Sequence, residues 1–304
     1  MHLLKELCAI RAASGDEAVM TEFLINYISK EQKNWSVKPQ IFSGEHFQDC
    51  IVLVFGKPRT AIFAHMDSIG FNVRYGTEIV KIGGPKAKND YELVGSDSLG
   101  EINCTLSVNK ENNSLHYLFK REIDRGTILT FKPNFRENEE YVQSPYLDNR
   151  LGLWSTLKVA QTLKDGIIVF STYEEHGGGS VEFLTRFIYE KFDVKQALIS
   201  DITWITSGVE HGKGVAISMR DSGIPRRSYL NRIINAAKNS KIPFQLEAED
   251  AGGSDGNAIQ HSPYPIDWCF VGAPEDNVHS PDEKVDKKDI ESMVKLYEVL
   301  MKEL

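Results

Sequence analysis

"GIIVFSTYEEHGGGS" (residues 166–180) runs the apolar residues Ile167, Ile168, Val169 and Phe170 into two adjacent glutamates and a glycine-rich turn. A short continuous apolar run closed by a turn reads as a strand buried on both faces. It therefore puts Glu174 and Glu175 at the mouth of a covered sheet. Adjacent carboxylates repel, and a strand end leading into a core solvates neither well. A cation, or a proton used in chemistry, would hold them there; the plain alternative is a solvated turn.

The surroundings have the same texture. Upstream, "SVKPQIF", "CIVLVFG" and "TAIFAH" are short β-rich runs, the last two reading as a hairpin about "GKPR". "SGDEAVMTEFLINYISK" reads as an amphipathic helix with Ser14 or Asp16 as its cap. Downstream, the strands "QALISDIT", "GVAISM" and "WCFVGAP" alternate with helices in "NRLGLWSTLKVAQTLK", "SVEFLTRFIYEKF", "SYLNRIINAAKN" and "KKDIESMVKLYEVLMKEL". This alternation predicts an α/β fold, a sheet covered by helices on both faces. Residues 70–145 differ: "FNVRYG", "EIVKIGG", "YELVG", "CTLSVN", "LHYLFK" and "GTILTFKP" are short, turn-bounded and without helical periodicity. A small β-barrel or sandwich is expected there, inserted into a catalytic domain made of residues 1–69 and 146–304.

Composition excludes several classes of partner. A net charge of −8 argues against nucleic acid, which needs clustered Lys and Arg. No stretch approaches the roughly 18 to 20 apolar residues of a membrane span, and the amino terminus lacks the features of a secretory signal. Cys8, Cys50, Cys104 and Cys269 are scattered, as expected of buried, reduced thiols. A cytoplasmic protein is expected.

Polar residues follow the buried strands. "AIFA" leads to His65-Met66-Asp67, "IIVFSTY" to Glu174-Glu175, "ALIS" to Asp201 and "CFVGAPEDNV" to His279, while Asp148 in "YLDNR" opens a helix. Ligands collect outside the carboxyl ends of strands in α/β sheets, so these five stretches converge on one crevice. Two imidazoles with several carboxylates are the donor set for a pair of divalent metals, Zn²⁺, Co²⁺ or Mn²⁺. Residues two apart in extended backbone face the same side, so Asp67 can bond the far nitrogen of His65 and orient it. If one glutamate ligates, the other can stand beside it as a base. Taken singly the members are weak: Asp148 also reads as a helix cap, and Asp201 as a turn cap with Thr203. The order His-x-Asp, Asp, Glu-Glu, Asp, His carries the reading.

That series, together with "SGDE", "AHMDSIGF", "GTILTFKPNF" ahead of "SPYLDNRLG", "AGGSDGNAIQ" and "HSPDEKVDKKDIESMVKL", resembles the co-catalytic metallo-aminopeptidases of the glutamyl and deblocking aminopeptidase family, some once labelled endoglucanases. The resemblance implies a zinc-exopeptidase-like mixed sheet and two divalent metal ions, zinc foremost. Asp148 would bridge them, with His65 and Asp201 completing one site and Glu175 and His279 the other. Glu174 would be the general base that activates a metal-bridging water, Asp67 would stand behind His65, and the reaction would remove the N-terminal residue of short peptides. Gly253, Ser254 and Asp255 in "GGSDG" are expected to contact substrate, a tight turn being the plain alternative. A homo-oligomer is implied, with the β-rich insert as contact or access domain.

Dinuclear carboxypeptidases and deacylases share the ligand order but carry their extra domain after the fourth ligand. Here the insert lies between Asp67 and Asp148, the aminopeptidase arrangement. A deacylase-type amidohydrolase and a non-catalytic peptide-binding relative are the rival readings. Ser68 stands where the family commonly has an acid, and His176 where an aliphatic residue is usual. His176 is expected to neighbour the site or face away rather than ligate.

Overall fold

The structure, a computed structural model, describes residues 1–304, the Glu45 side chain excepted. Four parallel strands form its centre, in the spatial order Gly166–Ser171, Ala61–His65, Gln196–Trp204 and Asp267–Asp276. Further strands, antiparallel in every pairing but that of Val215–Ser218 with Phe244–Glu247, extend the sheet to eleven. Each central strand is apolar at successive positions because both faces are covered. In Ala61–His65, Ile62 and Ala64 pack with helices Leu147–Ala160 and Lys287–Glu303, while Ala61 and Phe63 face the side of helix Val181–Phe192. The expected covered α/β sheet is therefore present, and it is mixed.

The hairpin expected about "GKPR" does not form. Gly166–Ser171 lies between Ile51–Phe55 and Ala61–His65, antiparallel to the first and parallel to the second. The intervening loop instead grips the start of that middle strand: Lys57 N–H donates to Asp165 Oδ1 at 2.7 Å, and Gly56 has φ +51° with no room for a Cβ beside Asp165. A turn signal marks a reversal of the chain but not which strands then pair.

Six strands from Gly70–Val73 to Ile128–Phe131 close into a barrel around Phe71, Leu93, Leu106, Leu129 and Phe131. After it, Arg136–Glu137 and Tyr141–Gln143 pair back into the large sheet. Helix Ala18–Glu31 starts without a side-chain cap, so neither Ser14 nor Asp16 fills that role. The Ser14 hydroxyl reaches Asp67 instead, and the neighbouring Ala13 bridges to Ser68, tying the amino-terminal segment to the end of the His65 strand.

Candidate metal centre

Strand register brings the site together. Ser171 lies opposite His65, and Ile199 opposite Phe63, so Asp201 comes level with His65 on the adjoining strand. Asp148 approaches from the start of helix Leu147–Ala160, where Asp148 and Asn149 depart from helical backbone and the peptide between them is cis. The capping role considered for Asp148 belongs to Asn149, whose Oδ1 accepts the Gly152 N–H at 2.9 Å. The Asp148 carboxylate is thereby left free to face the crevice. The turn role considered for Asp201 is also absent: Asp201 lies inside strand Gln196–Trp204, and the Thr203 hydroxyl donates to Glu247.

Two clusters form and share one residue: His65, Asp148 and Asp201 in the first, Asp148, Glu175 and His279 in the second, with ligand atoms in each lying within 4.8 Å of one another. The Asp148 oxygens are divided between them, Oδ1 lying 3.2 Å from His65 Nε2 and Oδ2 3.2 Å from His279 Nε2. His65 Nε2 also stands 3.4 Å from Asp201 Oδ2, and His279 Nε2 3.2 Å from Glu175 Oε2. One ring nitrogen carries at most one hydrogen and cannot satisfy two carboxylates. Glu175 Oε1 is buried without a hydrogen-bond partner. Orphaned acceptors that converge in this way fit divalent cations, and the mix of imidazole and carboxylate fits zinc, cobalt or manganese.

Glu174 belongs to neither cluster but lies beside the first, its Oε2 3.9 Å from His65 Nε2. The strand ends at Ser171, so the two glutamates ride on a turn rather than on alternate faces of a strand. Asp67 holds that turn: its Oδ1 accepts the Glu174 N–H at 3.1 Å, and its Oδ2 accepts the Glu175 N–H at 3.0 Å and the Ser14 hydroxyl at 2.6 Å. His65 Nδ1 lies 3.4 Å from Asp67 Oδ1. The His65 Nδ1 also meets the Asp67 carbonyl oxygen at 3.3 Å, so Asp67 lies beside the imidazole and anchors both glutamates, which the spacing did not disclose.

Burial dominates the electrostatics. It drives Glu174 well above the usual carboxylate range, with the charges of Glu175 and Asp201 adding to the push, and raises Glu175 to about 7. Asp201 is raised for the same reason. Burial acts to raise Asp148 as well, but the two histidines outweigh it and hold that carboxyl low. Without added positive charge the crevice therefore takes up protons, which is the state a cation would displace.

Glu283 escaped the sequence reading. Its Oε1 accepts the His279 N–H at 2.9 Å and its Oε2 the Asp148 N–H at 3.3 Å, so one buried carboxylate positions two cluster residues. It lies four residues after His279 in "HSPDE", and a lone acid in a loop carries no periodic signal.

The barrel braces the second cluster. Gly84 O faces His279 Nδ1 at 3.2 Å, and the Lys86 N–H donates to the His279 carbonyl at 2.8 Å. A proton on Nδ1 leaves Nε2 as the lone-pair nitrogen toward Asp148 and Glu175. The Gly83 N–H donates to His176 Nδ1 at 3.1 Å, so His176 links the glutamate turn to the barrel. Gly83 has φ +68°, and a Cβ there would meet the Glu175 carbonyl oxygen at 2.9 Å. Ser68 is buried and donates to the Ala12 carbonyl at 3.2 Å.

A cavity of about 280 Å³ opens onto both clusters and is walled further by Thr203, Trp204, Phe270 and Gly253. Of the three residues expected to contact substrate, only Gly253 lies on that wall. The Ser254 hydroxyl donates to Asp201 Oδ2 at 2.6 Å, which makes it a support for a cluster residue. Asp255 is buried at the start of helix Asp255–His261, where it accepts the Ser171 hydroxyl at 2.5 Å.

Comparison with known proteins identifies the family. The family model of the M42 glutamyl aminopeptidases matches residues 106–296. The lysyl aminopeptidase of Pyrococcus furiosus is 26% identical over 291 residues, covering 81% of this chain and 82% of that protein. The fold is that of a TET aminopeptidase from a marine-sediment Thaumarchaeota archaeon, with TM-score 0.88, 17% identity and coverage of 100% and 97% of the two chains. It is also that of the Pyrococcus horikoshii TET1 peptidase, described as assembling into a tetrahedron or a large octahedral shell, with TM-score 0.82, 22% identity and coverage of 100% and 99%. Because the family match spans most of the chain, including Asp148, Glu174, Glu175, Asp201 and His279, the chain belongs to the M42 glutamyl aminopeptidase family and is a metal-dependent aminopeptidase.

Proposed function

We propose that the chain removes the amino-terminal residue from short peptides at a two-metal centre bridged by Asp148, with Glu174 as the general base. The observation that carries this reading is the division of the Asp148 oxygens between His65 and His279. His65 and Asp201 would hold one ion, Glu175 and His279 the other, with zinc the foremost candidate. Such ions supply Lewis acidity, polarising the scissile carbonyl and making water a nucleophile near neutral pH.

The protein's own groups do the rest. Glu174, beside the first cluster and in neither, takes the proton of the attacking water and returns it to the leaving amine. Asp67 fixes the Glu174 backbone, so the carboxylate is poised before substrate arrives. The cavity wall, with Phe270 and Trp204, shields the exchange, and the carboxylates of the metal clusters and Glu174 draw the free α-amino group of a peptide.

Glu174→Gln should abolish turnover of aminoacyl-p-nitroanilides while metal content stays at the wild-type level. Retained activity would remove Glu174 from the role of base. A fully loaded protein that cleaves N-acyl amino acids and no aminoacyl substrate would make the deacylase reading the correct one.

The barrel, residues 70–131, is on this reading an inserted domain that braces His279 and offers a surface for self-association. Exposed Tyr75, Val80 and Leu118 on it, and the assembly described for the Pyrococcus horikoshii relative, support a homo-oligomer. Among the described residues no helix is long and apolar enough to cross a membrane. The four cysteines are free and buried, in keeping with the reducing cytoplasm as the place of action.

A further inference from the structure

The catalytic cavity has a second acidic wall that the metal clusters do not use. Asp221, Glu247 and Glu249 line it along with Asp148 and Glu174, from the segment after strand Val215–Ser218 and from the end of strand Phe244–Glu247 and the residues after it. Seven carboxyl groups line the cavity in all, with neither a lysine nor an arginine among the described lining residues. Two divalent cations would offset four of those formal charges and leave three, more than the α-amino group of a peptide can balance. The nearest basic side chain in the same segments, Arg220, is exposed and stands off the wall.

The cavity is built for a ligand quite apart from these acids. It has a volume of about 280 Å³ and is continuous with the metal centre through Asp148, Glu175, Asp201 and His279. Trp204, 44% exposed, presents its indole to the same space. An aromatic face beside carboxylates suits an aliphatic stem that ends in a cation. Asp221 is held by the Gly223 N–H at 2.6 Å and Glu247 by the Thr203 hydroxyl, so both carboxylates are fixed in place while Glu249 stays half-exposed. Burial raises Asp221 and Glu247 above their usual range, a penalty that a cationic side chain would relieve.

We propose that Asp221, Glu247 and Glu249 form the subsite for the side chain of the residue to be removed and select peptides that begin with lysine or arginine. This rests on the aminopeptidase reading of the same centre. A charge-assisted hydrogen bond in a shielded cleft corresponds to about ten- to a hundredfold in kcat/KM.

The test is a panel of Lys-, Arg-, Leu-, Ala- and Glu-p-nitroanilides on the metal-loaded enzyme and on Glu249→Gln and Asp221→Asn. The wild type should favour Lys and Arg over Leu and Glu by at least about tenfold. Both variants should lose most of that preference through KM, with the rate on Leu-p-nitroanilide within about threefold of wild type. Glu249→Lys should shift preference toward Glu-p-nitroanilide, and a far-ultraviolet spectrum like that of wild type shows that the variant is folded. A wild type that prefers Leu or Glu, or variants that lose all substrates equally, would overturn the proposal. Hydrolysis of no aminoacyl substrate at all would instead overturn the aminopeptidase reading beneath it.

Discussion

Asp67→Asn isolates what one carboxylate contributes to the centre. Asp67 accepts the Glu174 and Glu175 amides on separate oxygens, together with the Ser14 hydroxyl, and faces His65. Asparagine keeps the shape but has a single acceptor oxygen, so whichever way the amide is turned, one glutamate N–H meets a donor. A buried donor left unpaired costs about 1–3 kcal/mol. With about 2.1 cal/mol/K of unfolding entropy per residue over 304 residues, the melting temperature should fall by about 2–5 °C. Loss of the carboxylate behind His65 should also weaken metal binding about 10- to 100-fold. Competition with a chromogenic chelator reads the second effect and calorimetry the first. Ser14→Ala is the control: it removes only the hydroxyl contact, so metal affinity should stay near wild type. Unchanged metal affinity and melting temperature in Asp67→Asn would refute the anchoring argument.

Other consequences follow from single contacts. Burial lifts Asp255 to about 7, against about 3.9 in an unfolded chain, so the folded state binds the extra proton between those values. Its contribution is therefore full only below about pH 3.9 and is lost as pH rises from there through 7; Asp255→Asn should match wild type near pH 4 and become progressively more stable than it toward pH 8, and identical pH–stability curves would refute this. Gly83→Ala places a β-carbon against the Glu175 carbonyl and asks alanine to hold a left-handed backbone, at about 1–2 kcal/mol for the backbone alone. Metal titration of that variant should show one weakened equivalent, and unaltered binding of both would mean that the barrel does not brace the second cluster. Glu283→Gln leaves either the Asp148 or the His279 amide unpaired, so metal affinity should fall while the far-ultraviolet spectrum is unchanged; wild-type affinity would refute its positioning role.

What the sequence disclosed and what it hid have distinct physical causes. The central strands were legible because burial on both faces leaves continuous apolar runs, and their ends carried His65, Asp201 and the glutamate pair to one edge. Strand partners were hidden, since nothing in "GKPR" tells that Gly166–Ser171 inserts between Ile51–Phe55 and Ala61–His65. Helix Asp255–His261 is too short for a periodic signal, and its glycine-rich entry "GGSDG", which supplies its first two residues, has the texture of a turn. Within the centre, the residues facing the crevice were legible and the residues that hold them were less so. Glu283 acts through backbone amides, and His176 through Gly83 in the barrel, contacts made between segments far apart in the chain. The departures at Ser68 and His176 prove to be ties between segments, one to the amino-terminal strap and one to the barrel.

The central claim is that one carboxylate, Asp148, joins two cation sites that work together in peptide hydrolysis. Calorimetric titration of the chelator-stripped protein with Zn²⁺, with aminoacyl-p-nitroanilide hydrolysis followed at each addition, tests it most directly. The account predicts two equivalents per chain in the wild type, full turnover only when both are bound, and loss of both high-affinity equivalents in Asp148→Ala. A single equivalent in the wild type, or two equivalents that survive Asp148→Ala, would contradict it.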